Sequence, residues 1–233
     1  MNKTLNAKEF AYDVIKNEIL KLKLIPGTKI SEKTMSERLN VSRTPIREAF
    51  LKLAQEELLT IIPQSGTFVS LINMELAEEA RFVREVIETK IVGLCCENIL
   101  DESLIRLEIN LKMQEKLVRN PSEKEQIEKF HDLDEGFHKE LFIACGKERT
   151  WKMIQDVAGH LNRFRLLRLV DTKDLDWDVL LAHHRDIYQA ISTKDKEKAE
   201  VLMGEHMRLM LSEKDILLQE FPNYFYSQVY SIG

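Results

Sequence analysis

The sequence is poor in the residues that make tight turns and cross-links. Its 233 residues include 8 glycines, 5 prolines and 3 cysteines. So few glycines and prolines argue against a turn-rich β-protein and favour helices. Cys95, Cys96 and Cys145 cannot form a disulfide framework, because their number is odd and two of them are adjacent. We therefore expect an intracellular protein with reduced thiols.

Long apolar segments are also missing. No apolar run approaches the ~18 to 20 residues that a membrane-spanning helix needs. The first nine residues lack the apolar stretch followed by small residues that is typical of a secretory signal. These absences predict a cytoplasmic protein that does not associate with a membrane. The length suits one large domain or two modest ones, each with its own core.

Charge is distributed unevenly along the chain. Residues 1–72 contain eleven basic and eight acidic residues, so they carry +3, and the remainder carries −8 because the total is −5. A small basic module joined to a larger acidic one suggests that only the first meets a polyanion. Ordinary variation in composition would explain this excess equally well. The order of the predicted helices and strands must therefore decide whether the first segment binds a polyanion.

The first segment has the pattern of two short helices and a turn. Apolar residues at helical spacing predict a helix over residues 7–23, which Pro26-Gly27 ends. Ser31 is a suitable N-cap for a short second helix. Asn40 tolerates the left-handed conformation that a tight turn between helices requires.

A third helix and a hairpin follow. Thr44 is the predicted N-cap of this helix, with Pro45 at its first position, where a missing N–H is harmless. Residues 58–62 and 67–71 then predict two short strands. The turn between them has Gly66 at its tip, where the backbone could approach a phosphate closely. The whole order predicts a winged helix-turn-helix.

The third helix presents polar residues opposite its apolar face. Arg43, Thr44 and Arg47 lie there, near the helix start. A helix that presents such residues from its first turn can enter the major groove of DNA, where arginine binds guanine with two hydrogen bonds. Taken alone, a surface arginine is usually only solvated and a hairpin is usually structural. The ordered set of elements indicates DNA binding more specifically than any member.

Three motifs in this segment resemble those of a known family. PGTKISE at 26–32, VSRTPIREA at 41–49 and GTFV at 66–69 are similar to the DNA-binding domain of GntR-family transcriptional regulators. The resemblance covers essentially residues 7–72. It implies that Arg43, Thr44 and Arg47 lie in the major groove and that Gly66 lies at the wing tip. Lys33 falls where many relatives carry arginine, so we expect it to contact phosphate.

The acidic remainder predicts an all-helical domain. Breaks near 98–102, 120–122, 145–147, 171–176 and 192–195 leave about six helices, and an antiparallel bundle is the simplest arrangement. The predicted organisation is a winged helix-turn-helix domain (1–72), a linker (73–76), a helical domain (77–220) and a tail (221–233). The predicted fold class is therefore mainly α with one small hairpin.

All six histidines lie in this remainder. Asp134 and His138 are four residues apart and share a helix face. His184 and His206 flank the turn at 192–195, at ~14 and ~16 Å from it, so antiparallel helices would bring them to one level. A carboxylate with three imidazoles suits Zn²⁺, Ni²⁺ or Mn²⁺. Alternatively, an Asp–His pair is a surface hydrogen bond and a core histidine serves packing.

A second resemblance bears on these residues. The segments DEGFH at 134–138, HRDIYQAI at 184–191 and EH at 205–206 are similar to the FadR-type C-terminal ligand-binding (FCD) domain. It implies that Asp134, His138, His184 and His206 bind a divalent metal ion. The remaining histidines match no ligand position: His183 is expected behind the ligands or at the surface, and His131 and His160 are expected to be structural.

The same resemblance suggests an effector contact. Members of this subfamily commonly use an arginine from the first helix of the domain to hold the carboxylate of a small organic acid beside the metal. Arg84 matches that pattern better than Arg81. The alternative is that Arg84 and Glu88 form an ordinary ion pair on an exposed helix face.

Three functions stay open on the sequence. The favoured one is a homodimeric, ligand-responsive transcriptional repressor that reads a short palindromic operator and is not an enzyme. The rival is a metal-dependent hydrolytic enzyme fused to a DNA-binding module. Against it, the sequence offers no evident second catalytic group, nucleophile motif or glycine-rich phosphate loop. The third is a metal-free domain that binds a larger apolar ligand, as in some FadR-type relatives.

Overall fold

The computed structural model describes residues 6–118, 124–170 and 177–226, in two compact units. The first unit takes residues 6–77, 159–164 and 218–226, and the second takes the rest of the described chain. The predicted breaks at 120–122 and 171–176 lie outside the described residues. So do the first five residues of the predicted DNA-binding domain and the predicted tail beyond residue 226.

The first helix, α1 (Ala7–Leu20), begins with a reciprocal cap. The Asn6 side chain accepts a hydrogen bond from the Glu9 backbone N–H at 2.9 Å, and the Glu9 carboxylate accepts one from the Asn6 N–H. The helix ends before the predicted residue 23, because Leu22 takes a left-handed conformation with φ 53°. Pro26-Gly27 therefore lies beyond the helix end.

The predicted turn between the next two helices is confirmed. α2 (Glu32–Leu39) begins at its N-cap Ser31, whose side chain accepts from the Thr34 N–H at 3.0 Å. Asn40 adopts φ 53° and ψ 44°, a left-handed conformation that asparagine tolerates better than most residues. α3 (Arg43–Gln55) starts three residues later.

The predicted cap of α3 is wrong. The N-cap is Ser42, which makes no side-chain hydrogen bond, and Thr44 is already the second helical residue. Pro45 is consequently the third residue of the helix. Because the first four N–H groups of a helix have no partner within it, proline is tolerated there as well. The earlier start brings Arg43 into the first turn.

A three-stranded antiparallel sheet completes the winged helix. The strands β1 (Lys29–Ile30), β2 (Leu59–Ile62) and β3 (Gly66–Val69) lie in the order β1-β3-β2. In the β2–β3 hairpin Ile62 pairs with Gly66. The hairpin is confirmed with slightly shifted ends. β1 was not predicted, because a strand of two residues has no recognisable period.

Seven helices follow in the described part of the chain. They are α4 (Met74–Asn98), α5 (Asp101–Val118), α6 (Lys124–Ala144), α7 (Glu148–Val157), α8 (Gly159–Leu169), α9 (Trp177–Ser192) and α10 (Lys196–Glu220). The prediction was about six. The break it missed is at Ala158, whose φ is −85° and whose ψ of 6° lies well outside the helical range. α4 begins at Met74, inside the segment 73–76 that we predict as a linker.

The helices of the second unit bury a large apolar core and a smaller cluster beside Phe130. Phe137, Leu141, Phe142, Ile187 and Met203 are fully buried in the large core. Lys194, with φ 57°, makes the tight turn between α9 and α10. The mainly α fold, with a small sheet and a helical bundle, is therefore confirmed.

Remote segments fix the chain just after β3 within the first unit. Arg163 Nη1, on α8, donates to the Ser70 carbonyl at 2.6 Å. Ile72 forms a parallel bridge with the segment after α10: its N–H donates to the Tyr224 carbonyl at 2.8 Å, and its carbonyl accepts from Tyr226 at 2.9 Å. Of the helices in the described residues, none is both long and apolar enough to cross a membrane.

Candidate nucleic-acid interface and candidate metal centre

The start of α3 presents its polar residues to solvent. Arg43, Thr44 and Arg47 are all exposed, and the Arg47 side chain is 72% exposed. Its nearest carboxylate is Glu32, with Arg47 Nε 3.8 Å from Glu32 Oε1. Such an exposed pair restrains an arginine weakly. These guanidinium groups are therefore available to a nucleic acid.

Burial of the opposite face sets the direction in which these residues point. Ile46, Ala49, Phe50 and Leu53 are buried in the core of the first unit. Their spacing covers one face of α3 and leaves the other to the polar residues. Lys33, near the start of α2, is also exposed.

The wing places the basic side chain of Lys29 beside Gly66. Residues 63–65 form the turn, and Gln64 has φ 63°. Gly66, predicted at the tip, is instead the first residue of β3, with φ 131°. A Cβ on Gly66 would lie 2.6 Å from Cε of Lys29, an exposed residue of β1. Sequence reasoning missed Lys29 as a candidate phosphate contact, because it missed β1.

Four buried side chains of the second unit converge on one point. Asp134 and His138 from α6, His184 from α9 and His206 from α10 each offer one ligand atom, and these atoms lie within 4.8 Å of one another. Asp134 Oδ1 lies 3.5 Å from His184 Nε2, and the Nε2 atoms of His138 and His206 are 3.2 Å apart. All four residues are at most 5% exposed.

Hydrogen bonds on the outer side orient two of the imidazoles. Nδ1 of His138 lies 2.5 Å from Glu88 Oε2, and Nδ1 of His184 lies 2.9 Å from Gln114 Oε1. The Gln114 amide is oriented in turn, because its Nε2 donates to Asn110 Oδ1 at 2.7 Å. Both histidines thus carry a proton on Nδ1 and turn the lone pair of Nε2 inward, as metal-binding histidines do.

The inner atoms of the cluster fit a cation. Asp134 Oδ1 and His184 Nε2 are buried without a hydrogen-bond partner among the described residues. Buried acceptors left in this way are costly unless something binds them. Ligands of one zinc-sized ion lie roughly 3 to 4.2 Å apart. A small inward movement would therefore bring all four residues to bonding distance.

Burial and charge keep Asp134, His184 and His206 in the protonation states that a metal needs. Burial lowers the pKa of His184 to about 3 and that of His206 well below its usual value. Burial alone would raise the pKa of Asp134, but Arg165, followed by His184 and His138, lowers it to about 2. At neutral pH the set is one carboxylate with neutral imidazoles at His184 and His206.

Arg84 does not lie on an exposed helix face. It is fully buried; its Nε donates to Glu88 Oε1 at 2.6 Å and its Nη1 to Glu135 Oε1 at 3.1 Å. Its guanidinium carbon lies 5.6 Å from the centroid of the Trp151 ring. Nη2 is buried and has no hydrogen-bond partner in the described structure. Burial disfavours the cation, but Glu88 and Glu135 outweigh it and raise the pKa of Arg84.

A second guanidinium group joins this network. Arg165 of α8 donates to Asp134 and to Glu135. Sequence reasoning missed Arg165 and Gln114, since neither has a local pattern that links it to the four converging residues. Glu88 could have been found, because it lies four residues after Arg84. His131, His160 and His183 lie outside the four-residue cluster, although the rings of His183 and His206 are 5.8 Å apart.

Two family models match the chain over these two regions. "Bacterial regulatory proteins, gntR family" matches residues 7–69, and "FCD domain" matches residues 79–209. The HTH-type transcriptional repressor RspR of Escherichia coli is 30% identical over 225 residues, which are 97% of this chain and 96% of RspR. A transcriptional regulator from an unstable DNA locus of Streptomyces ambofaciens is 31% identical, over 92% of this chain and 87% of the relative.

The fold is also that of solved regulators. The structure of Escherichia coli McbR/YncC has a TM-score of 0.73 at 21% identity, and it covers 94% of this chain and all of its own. A winged helix with exposed arginines, joined to a helical domain, defines a DNA-binding transcriptional regulator. The chain belongs to the GntR family and carries an FCD domain, as the sequence motifs implied.

Proposed function

We propose that this regulator is a repressor whose FCD domain binds a divalent metal ion and a small carboxylate effector, and that the effector alters operator binding. The observation that carries the proposal is the buried convergence of Asp134, His138, His184 and His206. Its outer hydrogen bonds, which the imidazoles donate to Glu88 and Gln114, are those that orient metal-binding imidazoles.

Three imidazoles and one carboxylate suit Zn²⁺, Ni²⁺ or Mn²⁺. When bound, the ion would supply a Lewis-acidic position for a carboxylate oxygen of the effector. The protein's own part is to hold the effector's other oxygen. Arg84 is our candidate for this role, because its buried Nη2 lacks a partner and a guanidinium group matches carboxylate geometry.

Operator recognition is assigned to the first unit. We propose that Arg43, Thr44 and Arg47 read bases in the major groove, that Lys33 contacts phosphate, and that the wing at Gly66 approaches the backbone. The side chains of all four, Lys33, Arg43, Thr44 and Arg47, are exposed, which supports the assignment. A DNA-binding repressor of this kind acts in the cytoplasm of a bacterial cell.

A homodimer would pair two recognition helices on a palindrome. An apolar stripe on α5 supports a protein contact, since Ile105, Ile109 and Met113 are four residues apart and each is more than half exposed. We propose a second copy of this chain as the partner. The effector can regulate such a dimer only if it binds DNA-competent and DNA-incompetent states with different affinity.

The rival hydrolytic function finds less support. Glu135 is adjacent in sequence to Asp134, but it pairs with Arg84, Arg165 and Gln155. Burial alone would raise its pKa, yet Arg165 and Arg84 hold the pKa of Glu135 below its usual range. Such a carboxylate is a weak general base. The polar cluster likewise fits a purely apolar ligand poorly.

The proposal is tested by measuring operator binding with and without metal and acid. An operator is selected from random duplex DNA, and its affinity is measured while small carboxylates are added to metal-loaded and chelator-treated protein. We expect at least one acid to change the affinity of the metal-loaded protein by about 5- to 150-fold. His184→Gln should abolish this response, and the matched variant His131→Gln should keep it. An unchanged response after chelation, or none to any acid, would contradict the proposal.

A further inference from the structure

Two thiols meet in the second unit, away from the cluster of metal-ligand candidates. Cys95 lies on α4, and Cys145 is the first residue after α6. Their sulfur atoms are 3.3 Å apart. Cys95 Sγ also lies 3.5 Å from the Leu141 carbonyl oxygen, and Cys145 Sγ lies 3.6 Å from that of Ile91. Each sulfur therefore points at the other cysteine's helix.

The two helices run in the same direction at this contact. Glu88 meets His138 and Cys95 meets Cys145, and both pairs are separated by 50 residues in the chain. Cys95 lies seven residues after Glu88, which is about 10.5 Å along a helix. The thiol pair consequently joins the same two helices that carry the Glu88–His138 hydrogen bond, two turns further on.

The two cysteines differ in access and acidity. Cys95 is 1% exposed, whereas Cys145 is half-buried. A hydrogen bond from Cys95, and the charge of Lys147, lower the pKa of the Cys145 thiol, while the same hydrogen bond and burial raise that of Cys95. Thiolate character and exposure determine which cysteine an oxidant reaches first. Cys145 has both.

Cys145 lies where the regular helix has ended. The residue lies beyond the end of α6 and is followed by Gly146, whose φ is 63° and where an added Cβ would meet no atom within 4 Å. Cys96 takes no part, because its sulfur lies on another side, 4.0 Å from the Ala190 carbonyl oxygen.

We propose that Cys95 and Cys145 form a reversible intramolecular disulfide when hydrogen peroxide is the oxidant, linking α4 to the end of α6. The Cys145 thiolate attacks peroxide, which breaks the O–O bond and gives a sulfenic acid and hydroxide. The Cys95 thiol then attacks the Cys145 sulfur, forming the S–S bond and releasing water. Two thiols lose two electrons and two protons in total, and one peroxide becomes two waters.

This site does not depend on the metal or the effector. It would fix the two helices that carry Glu88 and His138, so oxidation would act on the regulator through the FCD domain's own core. A dithiol reductant reverses the step by thiol–disulfide exchange.

The test is a count of thiols in the full-length protein after peroxide treatment. The chain has 3 cysteines, and we expect two thiols to be lost and Cys96 to remain. Peptide mass analysis should find Cys95 and Cys145 linked within one chain, with the mass of two hydrogens lost, and a dithiol should restore three thiols. Three unreacted thiols, a link through Cys96 or between chains, or Cys145 sulfinic acid without a link would each overturn the proposal.

Serine variants separate the two chemical steps. Cys145→Ser should keep both of its thiols under the same peroxide dose, and the matched variant Cys96→Ser should lose both. Cys95→Ser should stop at a sulfenic acid on Cys145, which a sulfenic-acid-specific nucleophile traps. If burial makes Cys95→Ser unstable, the half-buried Cys145→Ser decides alone: loss of its two thiols at the wild-type rate would overturn the proposal.

Discussion

The start of α3 is exposed to solvent, whereas the cluster formed by α6, α9 and α10 is buried. The Arg47 side chain is 72% exposed and forms one weak, exposed ion pair with Glu32, whereas His184 is fully buried and hydrogen-bonded to Gln114. In the function we propose, the first set must stay accessible to DNA, and the second must be held in place before a metal ion or effector binds.

This difference has an energetic consequence. Replacing an exposed side chain removes little from the fold, while replacing a buried ion-pair member strands its partners in a medium of low polarity. Substitutions at the candidate DNA-binding residues should therefore change DNA affinity without changing stability. Substitutions in the polar network around the cluster should lower stability as well. Three predictions test this contrast.

The largest expected effect is on stability, at Arg84. Arg84→Met leaves Glu88 and Glu135 buried without that cation, so we expect the free energy of unfolding to fall by about 3 to 5 kcal/mol. Denaturant unfolding at neutral pH measures it. The matched variant Arg106→Met, which breaks ion pairs on an exposed face, should lose far less. Equal losses of unfolding free energy in the two variants would mean that burial does not determine how much these ion pairs contribute to stability.

The next effect is on DNA affinity, at Arg47. Arg47→Ala should weaken binding to the selected operator by about 1 to 3 kcal/mol per recognition helix, because one bidentate base contact is lost. The unfolding curve should be unchanged. Lys8→Ala removes the same charge from α1 at an exposed ion pair, and it serves as the control for non-specific attraction. Normal operator binding by the Arg47 variant would contradict the assignment of α3 as the reading helix.

The third effect is the smallest when it is expressed per pH unit, and it concerns a buried histidine that is not a metal-ligand candidate. His160 is buried in the first unit, and its Nδ1 accepts from the Asn73 N–H at 3.0 Å. Burial, followed by the charge of Arg163, lowers its pKa to about 3. Between pH 6.5 and 3 the unfolded chain binds a proton here that the folded chain does not. Stability should therefore fall with decreasing pH by about 1.4 kcal/mol per pH unit from this residue alone.

The variant His160→Asn keeps an acceptor for Asn73 but cannot be protonated. The free energy of unfolding of the variant should fall less steeply over the same pH range, by about 1.4 kcal/mol per pH unit. All other histidines contribute equally to both proteins. Chemical denaturation at several pH values gives the slopes. Parallel curves for wild type and variant would refute the account of His160.

Local chemistry explains which parts of the fold were predictable. The left-handed Asn40, the Ser31 cap and the hairpin each depend on neighbours in sequence, so the sequence predicts them. The cap of α3 was misplaced by two residues because proline is tolerated throughout the first helical turn. β1 and the break at Ala158 depend on packing and leave no periodic pattern.

The candidate site also has a part that the sequence predicts and a part that it does not. The four converging residues could be named from helical spacing and family resemblance, and the structure brings them together. Their supporting contacts could not. Gln114 and Arg165 lie on other helices, α5 and α8, and nothing in their own neighbourhood indicates a partner 31 or 70 residues away. Only the packed bundle defines those contacts.

The most direct test of the account is the metal content of the purified protein. Elemental analysis of the full chain, prepared without chelator, should find about one divalent transition-metal ion per chain. His184→Gln should lose most of it, while His131→Gln, which alters a histidine outside the cluster, should retain it. A wild-type protein that binds no such ion even when metal is supplied, or a His184 variant that binds it as well as wild type does, would contradict the central claim.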